Sequence, residues 1–316
     1  ELAHHDHPSG QLADRHDTRG HLPDRDHADG MLTDRDEPLC LNADVQPLDH
    51  GGILPPSPTA TTLRAMDAIL LGRDFTDVGV VEVLTPADDL AIGITRGPHP
   101  KRYEYVDPNE DVVAVVREGG VTALVVADGH NGHEGSHALV DGLLDALPDP
   151  LPARLDKRPA VIAFHQANDH MRAVRRQLTG PKLGTRSKMV LASVARGDDG
   201  AAALETAGVG DSAVIVVRDG VATQVTRDRH RFMGDRLSAP EMAGSLDHTV
   251  TELVDGDLVV VASDGLTNFT HLDAIGPAVA GLAPKAAVRA LVDLAGQGGA
   301  GDNIALAVLA HTARGT

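Results

Sequence analysis

The chain has 316 residues, enough for one large domain with an extension or for two small ones. It is acidic, with 28 Lys+Arg against 46 Asp+Glu and a formal net charge of -18. That argues against nucleic acid or an anionic membrane as a partner, because both require a cationic face. Any phosphate site must therefore take its positive charge locally, from a metal or a single Arg.

Aromatic residues make up 2% and Trp is absent, so the core is expected to be aliphatic. Cys40 is the single cysteine, which excludes a disulfide framework and a thiolate metal site. No apolar run approaches a membrane span, and no signal-peptide pattern opens the chain; the expectation is a cytoplasmic monomer. The Ala/Val/Gly/Asp-rich, Arg-over-Lys composition suggests a high-GC bacterial source.

Residues 1–58 stand apart. They hold seven of the 17 His, with a ten-residue repeat: GQLADRHDTR at 10–19, GHLPDRDHAD at 20–29 and GMLTDRDEPL at 30–39. One Leu per unit cannot bury enough surface to offset chain entropy, so a disordered tail is expected rather than a cation-binding array. Asp24, Asp26 and Asp29 miss the spacing of a calcium loop by one position. GGILPPSPTATT at 51–62 reads as a linker.

Residues 59–316 are expected to form the globular domain. ATTLRAMDAILLG (60–72) suggests a short helix. Aliphatic runs bounded by turn residues then predict strands at 90–95, 112–116, 121–127, 189–195, 202–209, 213–217, 221–226, 257–263 and 304–310. Arg218-Asp219-Gly220 joins two of them as a hairpin. Helical apolar spacing marks 134–147, 159–178 and 284–296, the last opened by Pro and closed by Gly. Hairpin-linked strands with helices in separate blocks indicate an antiparallel α+β fold.

Acidic residues sit at the strand ends: Glu110-Asp111, Asp128, Asp264 and Asp302. Glu118-Gly119-Gly120 is the evident turn between two strands, and the midpoint of 111 and 128 falls between the two glycines. A hairpin closed there sets Asp111 against Asp128, with Cβ atoms about 4.5–5.5 Å apart. Two carboxylates so close repel, and a divalent cation between them removes the penalty. An all-oxygen set suits Mg²⁺ or Mn²⁺. Asp264 and Asp302 share a sheet edge if their strands are antiparallel. For any one of these acids alone, ordinary turn chemistry is a sufficient explanation.

The context of these acids adds to this. DGHNGHEG (128–135), NED (109–111), GVGDSAVIVVRDG (208–220), TRDRH (226–230), VVVASDGLTNF (259–269) and GDNIALAVL (301–309) follow one another through roughly residues 90–315. In that order they resemble the signature segments of the metal-dependent protein phosphatases of type 2C. The resemblance implies a four-layer α-β-β-α fold, an antiparallel β-sandwich flanked by helices with two Mn²⁺ or Mg²⁺ ions at one end. It implies that Asp128 bridges the ions, that Glu110, Asp111 and the Gly129 carbonyl serve one, and that Asp264 and Asp302 complete the other. His130 matches the general acid for the leaving alkoxide. The implied activity is hydrolysis of phosphoserine or phosphothreonine on a protein by a cation-activated water.

Three departures bear on that activity. The family's phosphate-binding Arg usually sits four residues before the acidic-motif Glu, where this chain has Val106; Arg102, further upstream, is the candidate replacement. Gly184-Thr185 is followed by Arg186-Ser187-Lys188 instead of small apolar residues, and no Asp lies within 180–183, so a third metal is not expected. Between Asp228 and Asp257 no motif is legible. Arg172, Arg175, Arg176, Lys182, Arg186 and Lys188 form a local basic cluster, read as a solvated face in preference to a substrate-recognition surface. The competing functions are a non-catalytic regulatory module with the same fold and a phosphatase of small phosphorylated metabolites.

Overall fold

Successive residues of a strand face opposite sides of its sheet, and here both sides are apolar. In the computed structural model, which describes residues 68–101, 106–197 and 201–312, this double patterning places each sheet between two apolar layers. The described residues lie in one unit, Ala60–Thr316. The expectations for residues 1–58 and for the linker fall outside them.

The strands are β1 (Ala68–Leu71), β2 (Val81–Ala87), β3 (Leu90–Thr95), β4 (Val112–Glu118), β5 (Val121–His130), β6 (Arg186–Arg196), β7 (Ala202–Val209), β8 (Ala213–Arg218), β9 (Val221–Gln224), β10 (Asp247–Leu253), β11 (Leu258–Ala262) and β12 (Ile304–Ala310). The helices are α1 (Glu134–Ala146), α2 (Lys157–Arg175), α3 (Ala239–Ser245), α4 (Asp264–Thr267), α5 (Leu272–Val279) and α6 (Pro284–Gln297). One sheet runs β1-β4-β5-β6-β7-β10 and the other β2-β3-β12-β11-β8-β9. Neighbouring strands are antiparallel throughout.

The layers follow from residue parity. On β4 and β5, Val112, Ala114, Val125 and Ala127 pack on Leu139, Leu143 and Phe164 of α1 and α2. Val113, Val115, Leu124 and Val126 point the other way, onto Ile92, Val259, Val261 and Ala307 of the second sheet. The outer face of that sheet carries Ile215, Val260 and Leu306 against Val288 and Leu291 of α6. The expected α-β-β-α sandwich is the architecture found.

The short helix expected over 60–72 is absent where the chain is described. Ala68–Leu71 instead forms β1, pairing with β4, and Gly72–Asp74 is a single 3₁₀ turn. Tertiary pairing overrides a weak helical propensity here, because β4 otherwise presents an unpaired apolar edge. Strands β2 and β10 were not expected. Both are outermost in their sheets, so polar residues such as Glu82, Thr249 and Thr251 interrupt the apolar pattern without cost. Phe164 is the largest fully buried side chain, lodged between α2 and the first sheet. Phe164→Ala is expected to lower the unfolding free energy by about 3–5 kcal/mol, read as a reduced urea midpoint at unchanged slope.

Candidate active site

The inward rows of several strands run out into polar residues at one end of the sandwich. Val115 and Val113 on β4 are followed by Asp111, and Leu124 and Val126 on β5 by Asp128. Val194, Ala192 and Val190 on β6 lead to Lys188. Val259 and Val261 on β11 lead to Ser263, and Leu309, Ala307 and Ala305 on β12 to Asn303. Period-two alternation thus delivers polar side chains between the sheets where the apolar core ends.

The hairpin arithmetic holds. Val112 faces Ala127 and Glu118 faces Val121 across a two-residue Gly119-Gly120 turn, so Asp111 and Asp128 flank the open end of the ladder. Both turn glycines have positive φ, 56° and 82°, which such a tight connection requires. Strands β11 and β12 are antiparallel, with Ala262 opposite Leu306, which brings Asp264 and Asp302 to the same edge.

The acids crowd one another. Glu110 and Asp111 are each 1% exposed and Asp128 9%. Burial, with Asp302 and Asp264 alongside, pushes the Asp111 carboxyl up to about 7. Burial and the charges of Asp264 and Asp111 push Asp128 well above the usual carboxylate range. Burial raises Glu110 and Asp264 as well. The Oδ2 of Asp111 and the Oδ1 of Asp211 are buried without a hydrogen-bond partner.

Two lysines enter this acidic end. Lys188, cross-strand partner of Asp128, places Nζ 2.7 Å from Asp211 Oδ2, 3.1 Å from Asp264 Oδ2 and 3.3 Å from Asp128 Oδ2. Burial opposes its charge, but Asp128, Asp264 and Asp211 outweigh it and hold the ammonium protonated far into the alkaline range. Lys188 is therefore not part of a solvated basic face, contrary to the sequence expectation. Lys101 donates to Asn303 Oδ1 at 2.7 Å and pairs with Asp302 Oδ1 at 3.1 Å.

The backbone supports the acids at close range. Asn303 accepts from the Glu110 N–H and donates to the Arg96 and Pro108 carbonyls, tying the start of β12 to the segment before β4. The Glu110 carboxylate accepts from the N–H groups of Gly132 (2.6 Å) and Asp107 (3.2 Å), so it also shapes the loop after His130. Gly129 has no room for a Cβ, which would strike the Glu110 carbonyl. Gly265 is equally confined, by the Asn303 carbonyl.

His130, half-buried at the end of β5, lies against the Phe232 ring with centroids 5.4 Å apart. Its cross-strand partner Arg186 is exposed and stacks on the same ring at 4.0 Å. Burial and the neighbouring Arg186 lower the imidazole pKa. Arg102 lies outside the described residues. A concavity of about 740 Å³ opens at the opposite end of the sandwich, beside the Gly119-Gly120 turn. There Arg117 is neutralised by Asp89 at 2.9 and 2.6 Å, and no acidic cluster forms among the described residues.

The model of the family described as protein phosphatase 2C matches residues 101–293, well over half of the chain. The chain belongs to the protein phosphatase 2C family. Family membership makes it a metal-dependent phosphatase of the Ser/Thr type. The match covers Asp111, Asp128, Lys188, Asp211 and Asp264 and ends before Asp302. No curated protein sequence matches the chain.

Solved structures agree on the fold. The Streptococcus agalactiae serine/threonine phosphatase superposes with a TM-score of 0.57 at 20% identity, covering 73% of this chain and 99% of that one. The catalytic domain of the serine/threonine phosphatase PstP, in complex with two manganese ions, gives 0.53 at 22% identity, covering 72% and 98%. The Mycobacterium tuberculosis PstP structure gives 0.51 at 21%, covering 73% and 100%.

Sequence reasoning missed Asp211 and Lys188. Asp211 lies in the turn between β7 and β8, inside GVGDSAVIVVRDG, and reaches the same end of the sandwich as Asp128 on β5. One oxygen each from Asp128, Asp211 and Asp264 lie within 4.8 Å of one another. A Gly265→Ala chain is expected to lose about 1–3 kcal/mol of stability, read by urea unfolding, because the new methyl group meets backbone rather than a movable side chain.

Beside the site, burial and the nearby His133 and Arg73 push the His137 imidazole down to about 3, from 6.5 in an unfolded chain. The folded state therefore binds fewer protons than the unfolded one between those values. Stability is full above pH 6.5 and falls as pH drops towards 3, at a slope of at most about 1.4 kcal/mol per pH unit. His137→Leu is expected to flatten that part of the melting-temperature profile.

Proposed function

We propose that the chain hydrolyses phosphoserine or phosphothreonine monoesters on proteins, using two divalent cations, Mn²⁺ or Mg²⁺, held by Glu110, Asp111, Asp128, the Gly129 carbonyl, Asp264 and Asp302. The observation that carries this is the convergence of acids from β4, β5, β11 and β12 at one end of the sandwich, with carboxyl groups driven above their usual range by burial and by one another. A set of hard oxygen donors, one of them the unpartnered buried Asp111 Oδ2, fits Mg²⁺ or Mn²⁺. The PstP catalytic domain, similar in fold, was solved with two manganese ions. Bound ions would supply a water of lowered pKa as nucleophile and neutralise charge on the phosphoryl oxygens.

The chain's own residues do the rest. His130 stands at the mouth, where it can give a proton to the serine or threonine oxygen as that oxygen leaves. Arg186, sharing the Phe232 ring with His130, offers a guanidinium to a phosphate presented there. Arg102 remains the other proposed phosphate contact. Glu110 and Asn303 fix the backbone on which the acids stand. The proposal places the chain in a bacterial cytoplasm opposite Ser/Thr kinases; its Ala/Val/Gly/Asp-rich composition and the bacterial origin of the similar structures support the bacterial part.

Mn²⁺-dependent release of phosphate from p-nitrophenyl phosphate and from phosphopeptides tests the reading. Asp128→Asn is expected to reduce turnover at least about a hundredfold, and EDTA to abolish it until Mn²⁺ is restored. No metal-dependent turnover by the parent chain would leave a non-catalytic module, and turnover confined to phosphorylated metabolites would move the substrate class. His130→Ala is expected to cost about a hundredfold on a phosphoserine peptide but far less on p-nitrophenyl phosphate, whose leaving group needs no proton.

A further inference from the structure

Lys188 is placed more tightly than a surface lysine. It is 8% exposed, in register with Asp128, and its Nζ meets three carboxylates at 2.7, 3.1 and 3.3 Å. Its stem lies in a trough left by Gly210, where a Cβ would stand 2.5 Å from Lys188 Cβ and 2.6 Å from Cγ. Gly210 adopts a φ of +112°, which side-chain-bearing residues rarely take. The Phe232 ring covers Nζ from 5.1 Å. Holding so long a side chain in one conformation costs rotamer freedom, so an opposing attraction must fix it.

The three acids supply that attraction. With oxygens within 4.8 Å of one another they cannot all be ionised without a cation among them. The ammonium fills that need in the chain itself, at hydrogen-bonding distance. A divalent ion taken up by the same oxygens would need the space that Nζ fills and would repel the ammonium.

We propose that Lys188 is a resident counter-cation of the Asp128–Asp211–Asp264 cluster that a divalent ion must displace, so that the chain folds with its acidic centre satisfied and takes up metal more weakly than the bare carboxylates would. This rests on the reading that Asp128 and Asp264 hold divalent cations. Its test reads metal binding directly, so the two can fail separately.

Mn²⁺ isotherms of the full chain and of Lys188→Met, which keeps length and removes charge, should differ. The weakest Mn²⁺ equivalent of the parent chain is expected to bind at least about tenfold more tightly in the variant. An unchanged or weaker isotherm overturns the proposal. Should Lys188→Met fail to fold, the parent chain decides: acetylation of Lys188, followed by mass spectrometry, is expected to be at least about tenfold faster in saturating Mn²⁺ than in EDTA, because displacement exposes the amine. Equal or slower labelling overturns it. A phosphatase-inactive chain with the tighter variant isotherm would reject the hydrolytic reading and leave Lys188 in its role. An active chain with superimposable isotherms would do the reverse.

Discussion

Repulsion among buried carboxylates at one end of a β-sandwich is the constraint around which this structure is organised. Asp111, Asp128, Asp264 and Asp302 reach that end from four strands, and nothing apolar there can offset the charge they carry. The chain answers with two ammonium groups and with backbone N–H donors. Lys188 stands among Asp128, Asp211 and Asp264, while Lys101 holds Asp302. One oxygen of Glu110 accepts from the N–H groups of Asp107, just before it in the chain, and of Gly132, in the loop after β5. Crowding of this kind, with carboxyl groups held above their usual range by burial and by one another, marks the end of the sandwich where the chemistry is proposed.

The hydrophobic layers make that crowding affordable. Each sheet is apolar on both faces, so four layers lock together and the strand registers have little freedom to slip. With the registers fixed, the acids cannot separate to relieve their repulsion. Close backbone approaches add to this: Gly129 against the Glu110 carbonyl, and Gly265 against that of Asn303, leave the strand ends no slack. Asn303, bonded to four groups across three segments, couples the beginning of β12 to the approach to β4.

Much of this was legible in the sequence wherever the relevant contacts were local. A glycine pair midway between Asp111 and Asp128 was enough to set a hairpin register, because a two-residue turn fixes it by counting. Central strands announced themselves as unbroken aliphatic runs. Lys188 was hidden because its meaning depends on β5 pairing with β6 across two helices, a register that no turn specifies. Its basic neighbours Arg175 and Arg186 do face solvent or backbone carbonyls, which made a shared solvated face the natural reading. Strands β2 and β10 were hidden for a different reason: at the sheet edges one face is wet, and the apolar signal fades.

The parity of the inward rows has a consequence for how such a chain can vary. Valine, isoleucine and leucine can be traded along β4, β5 and β6 at modest cost where the volume is kept, since each inner position asks for little beyond an aliphatic group of suitable size. Gaining or losing a single residue between the Gly119-Gly120 turn and either Asp111 or Asp128 is another matter. It would rotate that carboxylate from the gap between the sheets into the layer beneath α1 and α2, swapping every apolar residue beyond the change to the wrong face. Insertions in this hairpin are thus confined to its turn, and the spacing of the strands is more constrained than their spelling.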